Sequence, residues 1–400
     1  MWPMMARCER CAWLGVDRTM TSPGSFRPAL TVLLLSAVAL SGCDRRRTDP
    51  ADTPTTGPSS HAPKSSAAPL LTIKSETRQF KDWRASCGND GTCWAFGFAP
   101  EFEAGWVRIK MEAGPAARPQ LMFGYWPDSA VTPTDEISLE VDGVNYQGTP
   151  TSDSDPEQPI SSVQNSAGLI DAMARGRSMF IHGSSVRVIS LSGASAAMLW
   201  IDEKQQRLGT QAALIRRGDR PASDVPAAPV LPVVAIAPPT DQTGMDAEGE
   251  TLPAALRNRP EVRACLEDSV QPDVSKTGMA FRLDAQTELY AVPCGSGAYN
   301  LTHYWYLTGR AGQNPRPAAL VGTAGPGADP AWADQATING EYDPKTRRLL
   351  SFARGRGLGD CGTIQSWAWI GDTFALIEER SMGDCAGVPA DLWPITWRTR

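Results

Sequence analysis

Four stretches decide how this chain folds: FKDWRAS (80–86), TCWAFGF (92–98), GWVRIKME (105–112) and QLMFGYW (120–126). Each is short, rich in aromatic and β-branched residues, and separated from the next by glycine, proline or charged residues, the composition of consecutive β-strands. A fifth run, ISLEVDGVNY (137–146), carries Asp142-Gly143, a pair that suits a tight hairpin turn. Two helical patterns follow. In the second, after the strand-like VRVISL (186–191), Ala194, Ala197, Met198 and Ile201 fall at i, i+3, i+4 and i+7, with Ser192 placed to cap the start. The other face bears Asp202, Glu203, Lys204, Gln205 and Arg207, which reads as a solvated surface.

Further along, a helix is expected through Val262, Cys265 and Leu266. A series of strands then follows: MAFRL (279–283), ELYAVPC (288–294), LTHYWYL (301–307), ATINGEY (336–342), RLLSFAR (348–354), SWAWIG (366–371), TFALIEE (373–379) and ITWR (395–398). Asp343-Pro344 and Gly371-Asp372 mark turns between neighbours, so this part reads as an antiparallel meander. The expected class is α+β, mainly antiparallel β, with two disulfide-containing domains joined by a Pro-rich linker.

The boundaries follow from composition. Residues 1–42 read as a signal peptide, because the apolar run from Ala29 to Leu40 has the length of an export-signal core and is too short to span a bilayer. Met20 makes a better start for such a signal than Met1. Residues 43–75, rich in Pro, Thr, Ser and Ala, read as lipid anchor and disordered tether. The N-terminal α+β domain spans 76–218, the linker 219–250, with six prolines between Pro221 and Pro239, and the C-terminal β-rich domain 251–400.

Leu40-Ser41-Gly42-Cys43 resembles the lipobox of bacterial lipoproteins, which implies that Cys43 is acylated and anchors the chain. One acyl chain binds a membrane only marginally, at ~0.8 kcal/mol per buried methylene, so durable attachment needs two or more. Arg45, Arg46 and Arg47 would add about 1 kcal/mol each near an anionic surface. The expected location is the bacterial cell envelope, facing the periplasm, on either the inner or the outer membrane.

Outside the leader and Cys43, six cysteines remain, and six allow fifteen pairings. Local pairing is the simplest: Cys87 with Cys93, Cys265 with Cys294, and Cys361 with Cys385. An even count in an exported chain fits an oxidising compartment. Metal binding or thiol chemistry would need CxxC pairs or nearby histidines, and the histidines are only His61, His182 and His303, so no metal or other cofactor is expected.

Several motifs come close to a known chemistry. Gly357 to Gly362 satisfies GxGxxG, but the residues after it alternate like a strand and open no helix, so a disulfide-held turn is expected instead of a dinucleotide site. Arg354, Arg356 and Asp360 in the same stretch are kept as a candidate ligand loop for an anion. Gly193 to Ala197 lacks the last glycine of GxSxG, and a nucleophilic Ser195 would need His182 or His303 as its base. Glu378 and Glu379, adjacent on a strand, point to opposite faces and make no acid/base pair. The tryptophans, including Trp305, Trp367, Trp369, Trp393 and Trp397, read as core before they read as a binding platform.

Net charge is −6 for the whole chain, and −8 once the first 43 residues, with four arginines and two acids, are removed. Nothing in that balance favours nucleic acid, whose affinity comes largely from neutralised phosphates.

Taken together, FKDWRASC with Thr92-Cys93, LSGASAAMLWIDEKQQRLGTQAALIRRGD (191–219), PCGSGAYN (293–300), SFARGRGLGDCG (351–362) and WPITWR (393–398) resemble a bacterial envelope family called domain of unknown function 1176. The resemblance spans residues 78–398 and implies an exported two-domain protein without assigned activity or catalytic residues. The first domain is also distantly similar to invasion-associated locus B proteins, through its early Trp-Cys-Cys arrangement and a VDG hairpin. No catalytic set is complete. The expected function is a lipid-anchored binding or assembly module with an envelope protein or cell-wall partner. The alternatives are an enzyme acting on envelope polymers, or an inhibitor of a lytic enzyme or protease that presents loop 354–362.

Overall fold

The computed structural model describes residues 74–400, apart from 101–102, 128–135, 153, 155–156, 246–251, 268–277 and 322–334. Cys43, His61, the signal peptide and most of the tether lie outside the described residues.

The first lobe runs β1 (Glu76–Phe80), β2 (Trp83–Cys87), β3 (Cys93–Phe98), β4 (Gly105–Met111), β5 (Gln120–Tyr125), β6 (Ser138–Val141), β7 (Val144–Gln147), β8 (Thr149–Pro150), β9 (Ile160–Val163), α1 (Ala167–Arg175), β10 (Ser178–His182), β11 (Arg187–Ser190) and α2 (Ala194–Lys204). Strands β1-β2-β3-β4-β5-β9-β8 form one antiparallel sheet and β11-β10-β6-β7 a second. Asp142 and Gly143 turn the β6–β7 hairpin with φ of 49° and 80°, the left-handed values that such a two-residue turn requires.

The second lobe runs α3 (Ala254–Arg257), α4 (Pro260–Glu267), β12 (Met279–Arg282), β13 (Glu288–Ser296), β14 (Leu301–Thr308), β15 (Arg316–Pro317), β16 (Leu320–Val321), β17 (Ala336–Ile338), β18 (Glu341–Asp343), β19 (Arg348–Arg354), β20 (Gly362–Trp369), β21 (Phe374–Met382) and β22 (Ile395–Arg398). One sheet is β12-β13-β14-β15, with β17 also on β14. The other is β16-β21-β20-β19-β18, with β22 also on β21. The pairing is antiparallel except for β16 with β21. Mainly antiparallel sheet with few helices is the class read from the sequence.

Among the described residues three disulfides join Cys87 to Cys93, Cys265 to Cys294 and Cys361 to Cys385. Trp305, Trp367 and Trp369 on strands, and Trp393 in the segment before β22, are buried in the cores.

The runs that decide the fold do not alternate between core and water. On β2 to β5, Trp83, Ala85, Cys87, Cys93, Ala95, Val107, Ile109, Met111, Leu121 and Phe123 meet α1, α2 and the second sheet on one face. The opposite face carries Trp94, Phe96 and Trp106, and these share a core with Cys361, Met382, Val388, Leu392 and Trp393 of the second lobe. Residues 65–400 accordingly form one compact unit. The proline-rich stretch is tied to that unit by backbone bonds: Val234 N donates to Arg400 O, Arg400 N to Pro232 O and Ala237 N to Trp369 O.

Two expectations around α2 are corrected. Its N-cap is Gly193 and not Ser192: Gly193 has φ of 103° with Phe80 O packed against it, so a Cβ there would lie 1.7 Å from that oxygen. Ser192 instead accepts Asp82 N–H at its own carbonyl. The face read as solvated is in part interior, since Asp202, Gln205 and Arg207 are all fully buried. Asp202 accepts from the N–H groups of Leu214 (2.7 Å), Ile215 (3.1 Å) and Arg216 (3.5 Å). Gln205 Nε2 donates to Gly91 O and Met111 O, and Arg207 donates to Gln205 Oε1, Glu112 O and Gly114 O. Burial pushes the Asp202 carboxyl up, and it brings the Arg207 guanidinium down to about 10. These side chains fold the 205–218 loop back onto the strands, satisfying backbone groups that would otherwise be buried alone.

Asp202→Ala strips three buried N–H groups of their acceptor and should lower stability by about 3 kcal/mol, whereas Asp202→Asn, which keeps one acceptor oxygen, should cost less. Denaturant midpoints of the three proteins measure the ordering.

Candidate functional site

The candidate ligand loop is the β19–β20 connection. Gly362 starts β20 with φ of 136°, and a Cβ on it would sit 2.0 Å from Ala353 O, which is why glycine recurs here without any helix to follow. Gly355 N donates to Cys361 O and Gly359 N to Arg356 O, closing the loop on itself.

Asp360 is buried, and its carboxylate receives Arg356 Nε at 2.7 Å and Nη2 at 2.6 Å. Its Oδ2 also accepts from Gly387 N at 2.7 Å. Gly387 O in turn accepts from Trp106 Nε1 (3.1 Å) and Gln158 Nε2 (2.6 Å) of the first lobe. Burial opposes ionisation of Asp360, but the bonds from Arg356 and Gly387 outweigh it and hold the carboxyl below its usual range. Arg356 lies 5.8 Å from the Trp126 ring centre, and Arg354 5.2 Å from that of Phe352. The loop therefore serves as a brace between the lobes: Asp360 already neutralises the arginine that an anion would use.

The other singled-out residues are dispersed. Ser195 is exposed on α2, His182 Nε2 is 3.0 Å from Glu140 Oε2, and His303 is buried in the second lobe, where desolvation lowers its pKa to about 4. Glu379 is buried and bonded to Gln365 and Thr396, while Glu378 pairs with Arg380. No group of three His, Cys, Asp or Glu among the described residues is placed to hold a metal ion.

The junction also contains a cavity that no motif announced. Along the second face of the first sheet, Thr77, Arg84, Ser86 and Phe96 line a space of about 230 Å³, completed by Ser381, Met382, Gly383 and Pro394 of the second lobe. Arg84 is ion-paired with Asp384: Nη2 donates to Oδ1 at 3.1 Å, and Nε stands 2.5 Å from Oδ2 without hydrogen-bond geometry. The Thr77 and Ser86 hydroxyls bond each other at 2.9 Å. The pocket thus combines a guanidinium paired with Asp384, three hydroxyls and an apolar wall. Arg84 and Asp384 are 300 residues apart, so no local spacing could have paired them.

A family described as "Protein of unknown function (DUF1176)" matches residues 77–400. The chain belongs to this family. "Uncharacterized protein YpfG" of Escherichia coli (strain K12) is 32% identical over 216 residues, 54% of this chain and 60% of that protein, so the match spans less than two thirds of the relative. A crystal structure of invasion associated protein B from Bartonella henselae is 13% identical and covers 33% of this chain and 99% of that one, with a TM-score of 0.28, too low a likeness to carry an argument.

Asp360→Asn removes the charge that Arg356 and Gly387 hold, and should cost about 2 kcal/mol at pH 7. Because the folded carboxyl titrates below its unfolded value, the stabilisation is present above about pH 4 and is lost as pH falls through the lowered folded pKa. The gap between wild type and Asp360→Asn in urea unfolding should therefore narrow steadily below about pH 4.

Proposed function

We propose that this protein is a lipid-anchored component of the bacterial cell envelope that faces the periplasm and binds another envelope component without transforming it. The observation that carries the reading is the pocket beside the Arg84–Asp384 pair, a small, mainly apolar space with a charged and hydroxyl-bearing edge that residues of both lobes line. Attachment through an acylated Cys43, followed by the tether of residues 44–75, would let the compact body reach a partner near the membrane. Three disulfides suit an oxidising compartment outside the cytoplasm. An enzymatic role for Asp360 is the less favoured reading, since both of its oxygens already accept hydrogen bonds.

A second reading, inhibition of a lytic enzyme or protease, draws on one feature. Leu358 is 63% exposed at the tip of the disulfide-braced loop 354–362, a rigid apolar projection of the kind an inhibitor presents.

In-cell cross-linking and pull-down of the full lipoprotein tests both readings, using wild type, Cys43→Ala, Arg84→Ala and Leu358→Asp. We expect Cys43→Ala to leave the membrane fraction, and a partner captured by wild type to be lost from Arg84→Ala and kept by Leu358→Asp. Loss from Leu358→Asp alone would transfer support to the inhibitor reading. Equal capture by all four forms would overturn both.

A further inference from the structure

A second cavity lies on the same face of the first sheet, where the proline-rich stretch and β22 cross it, and its volume is about 310 Å³. Trp94 lines it, with Lys110 directly across on β4 in the strand register and Glu112 two residues on, past the end of the strand. Leu231 and Ile395 form apolar walls. Arg398 also lines the cavity, and its main chain is clamped by one first-lobe side chain: Asn89 Nδ2 donates to Arg398 O at 2.8 Å and Arg398 N to Asn89 Oδ1 at 2.8 Å.

The charges around this space are incompletely used. Asp90 accepts from Thr92 N at 2.9 Å and Thr92 Oγ1 at 3.1 Å, and Arg398 Nη1 stands 3.6 Å from its Oδ2, an ion pair without a hydrogen bond. Arg398 Nε is shielded from solvent and has no hydrogen-bond partner. The Arg398 side chain is 35% exposed, so the part of its guanidinium that faces the cavity is open to a ligand. Lys110 Nζ meets Glu112 Oε1 at 2.8 Å, while half of the Glu112 side chain is open to solvent. The cavity therefore presents a guanidinium for an anion at Arg398 and an accessible carboxylate at Glu112, with the Trp94 indole lining the same space. Two cationic and two anionic side chains leave the site neutral, which selects against a simple anion or cation and in favour of a ligand carrying both charges.

We infer that this pocket binds a small zwitterion, a free amino acid or short peptide, with its carboxylate on Arg398 and its ammonium on Glu112. The volume lies at the lower end for ligand sites, as suits a ligand of one or two residues. The proposal concerns a different cavity from the Arg84 pocket and stands independently of whether that pocket binds an envelope component.

Calorimetric titration of the full chain with alanyl-alanine, its N-acetyl form and its C-terminal amide tests the assignment, with Arg398→Gln and Glu112→Gln as variants. The free dipeptide should bind wild type, and either blocking group or either variant should weaken binding by about tenfold or more. N-acetylation should matter little to Glu112→Gln, and amidation little to Arg398→Gln, since the matching charge is already gone. No heat from the free dipeptide, or equal binding of all three ligands, would overturn the proposal. If Arg398→Gln also lowers the unfolding midpoint, the exposed Glu112→Gln variant with the N-acetyl ligand decides alone.

Discussion

Trp94, Phe96 and Trp106 stand on the face of the first sheet turned away from the helices, and they are buried because Val388, Leu392 and Trp393 of the second lobe lie on them. An antiparallel sheet usually leaves one face in water. Here both faces are apolar, and burying each large side chain contributes roughly 1.5–3 kcal/mol, so three aromatics left exposed would cost an amount of the same order as a typical domain's net stability. Hydrogen bonds fix where the cover sits: Trp106 Nε1 reaches Gly387 O, and Arg108 Nη1 reaches Leu392 O. The second lobe completes the core of the first.

The same packing explains where ligand-sized spaces occur. The segment from Ser381 to Arg398 covers the middle of the sheet face, and the Arg84 and Arg398 cavities flank its path at β2 and at the β3–β4 end. Each contains an arginine held in place across the junction, Arg84 by Asp384 and Arg398 by Asn89. The Gly-rich loop supports that arrangement from behind, since the Cys361–Cys385 disulfide and the Asp360 contact to Gly387 set the position of residues 384–388.

Much of the fold was legible because it is local. Runs such as TCWAFGF and RLLSFAR become β3 and β19, Asp142-Gly143 turns its hairpin, and each disulfide closes a short loop, a separation that sequence proximity can read. The α2 pattern of Ala194, Ala197, Met198 and Ile201 likewise describes its buried stripe. What failed was contact at long range. Asp202 and Arg207 look like surface residues on a helical wheel, and only the return of the 205–218 loop buries them. The Arg356–Asp360 pair, four residues apart, is by contrast local, and pairs two of the three residues of the candidate ligand loop. The Arg84–Asp384 and Asn89–Arg398 pairs span 300 and 309 residues, with no spacing signal at all. One clue to the junction was present in the strands: β3 and β4 place aromatics on the face opposite their main core, which a sheet with a solvated side would not do.

Native-state hydrogen exchange on Trp393→Ala tests most directly whether the two lobes are one cooperative structure. The substitution should cost about 3–5 kcal/mol. If the second lobe completes the first lobe's core, amides of β3 and β4 should lose protection by the same amount as those of β20 and β21. Loss confined to β20 and β21, with β3 and β4 unchanged, would show that the first lobe stands alone and would contradict the account.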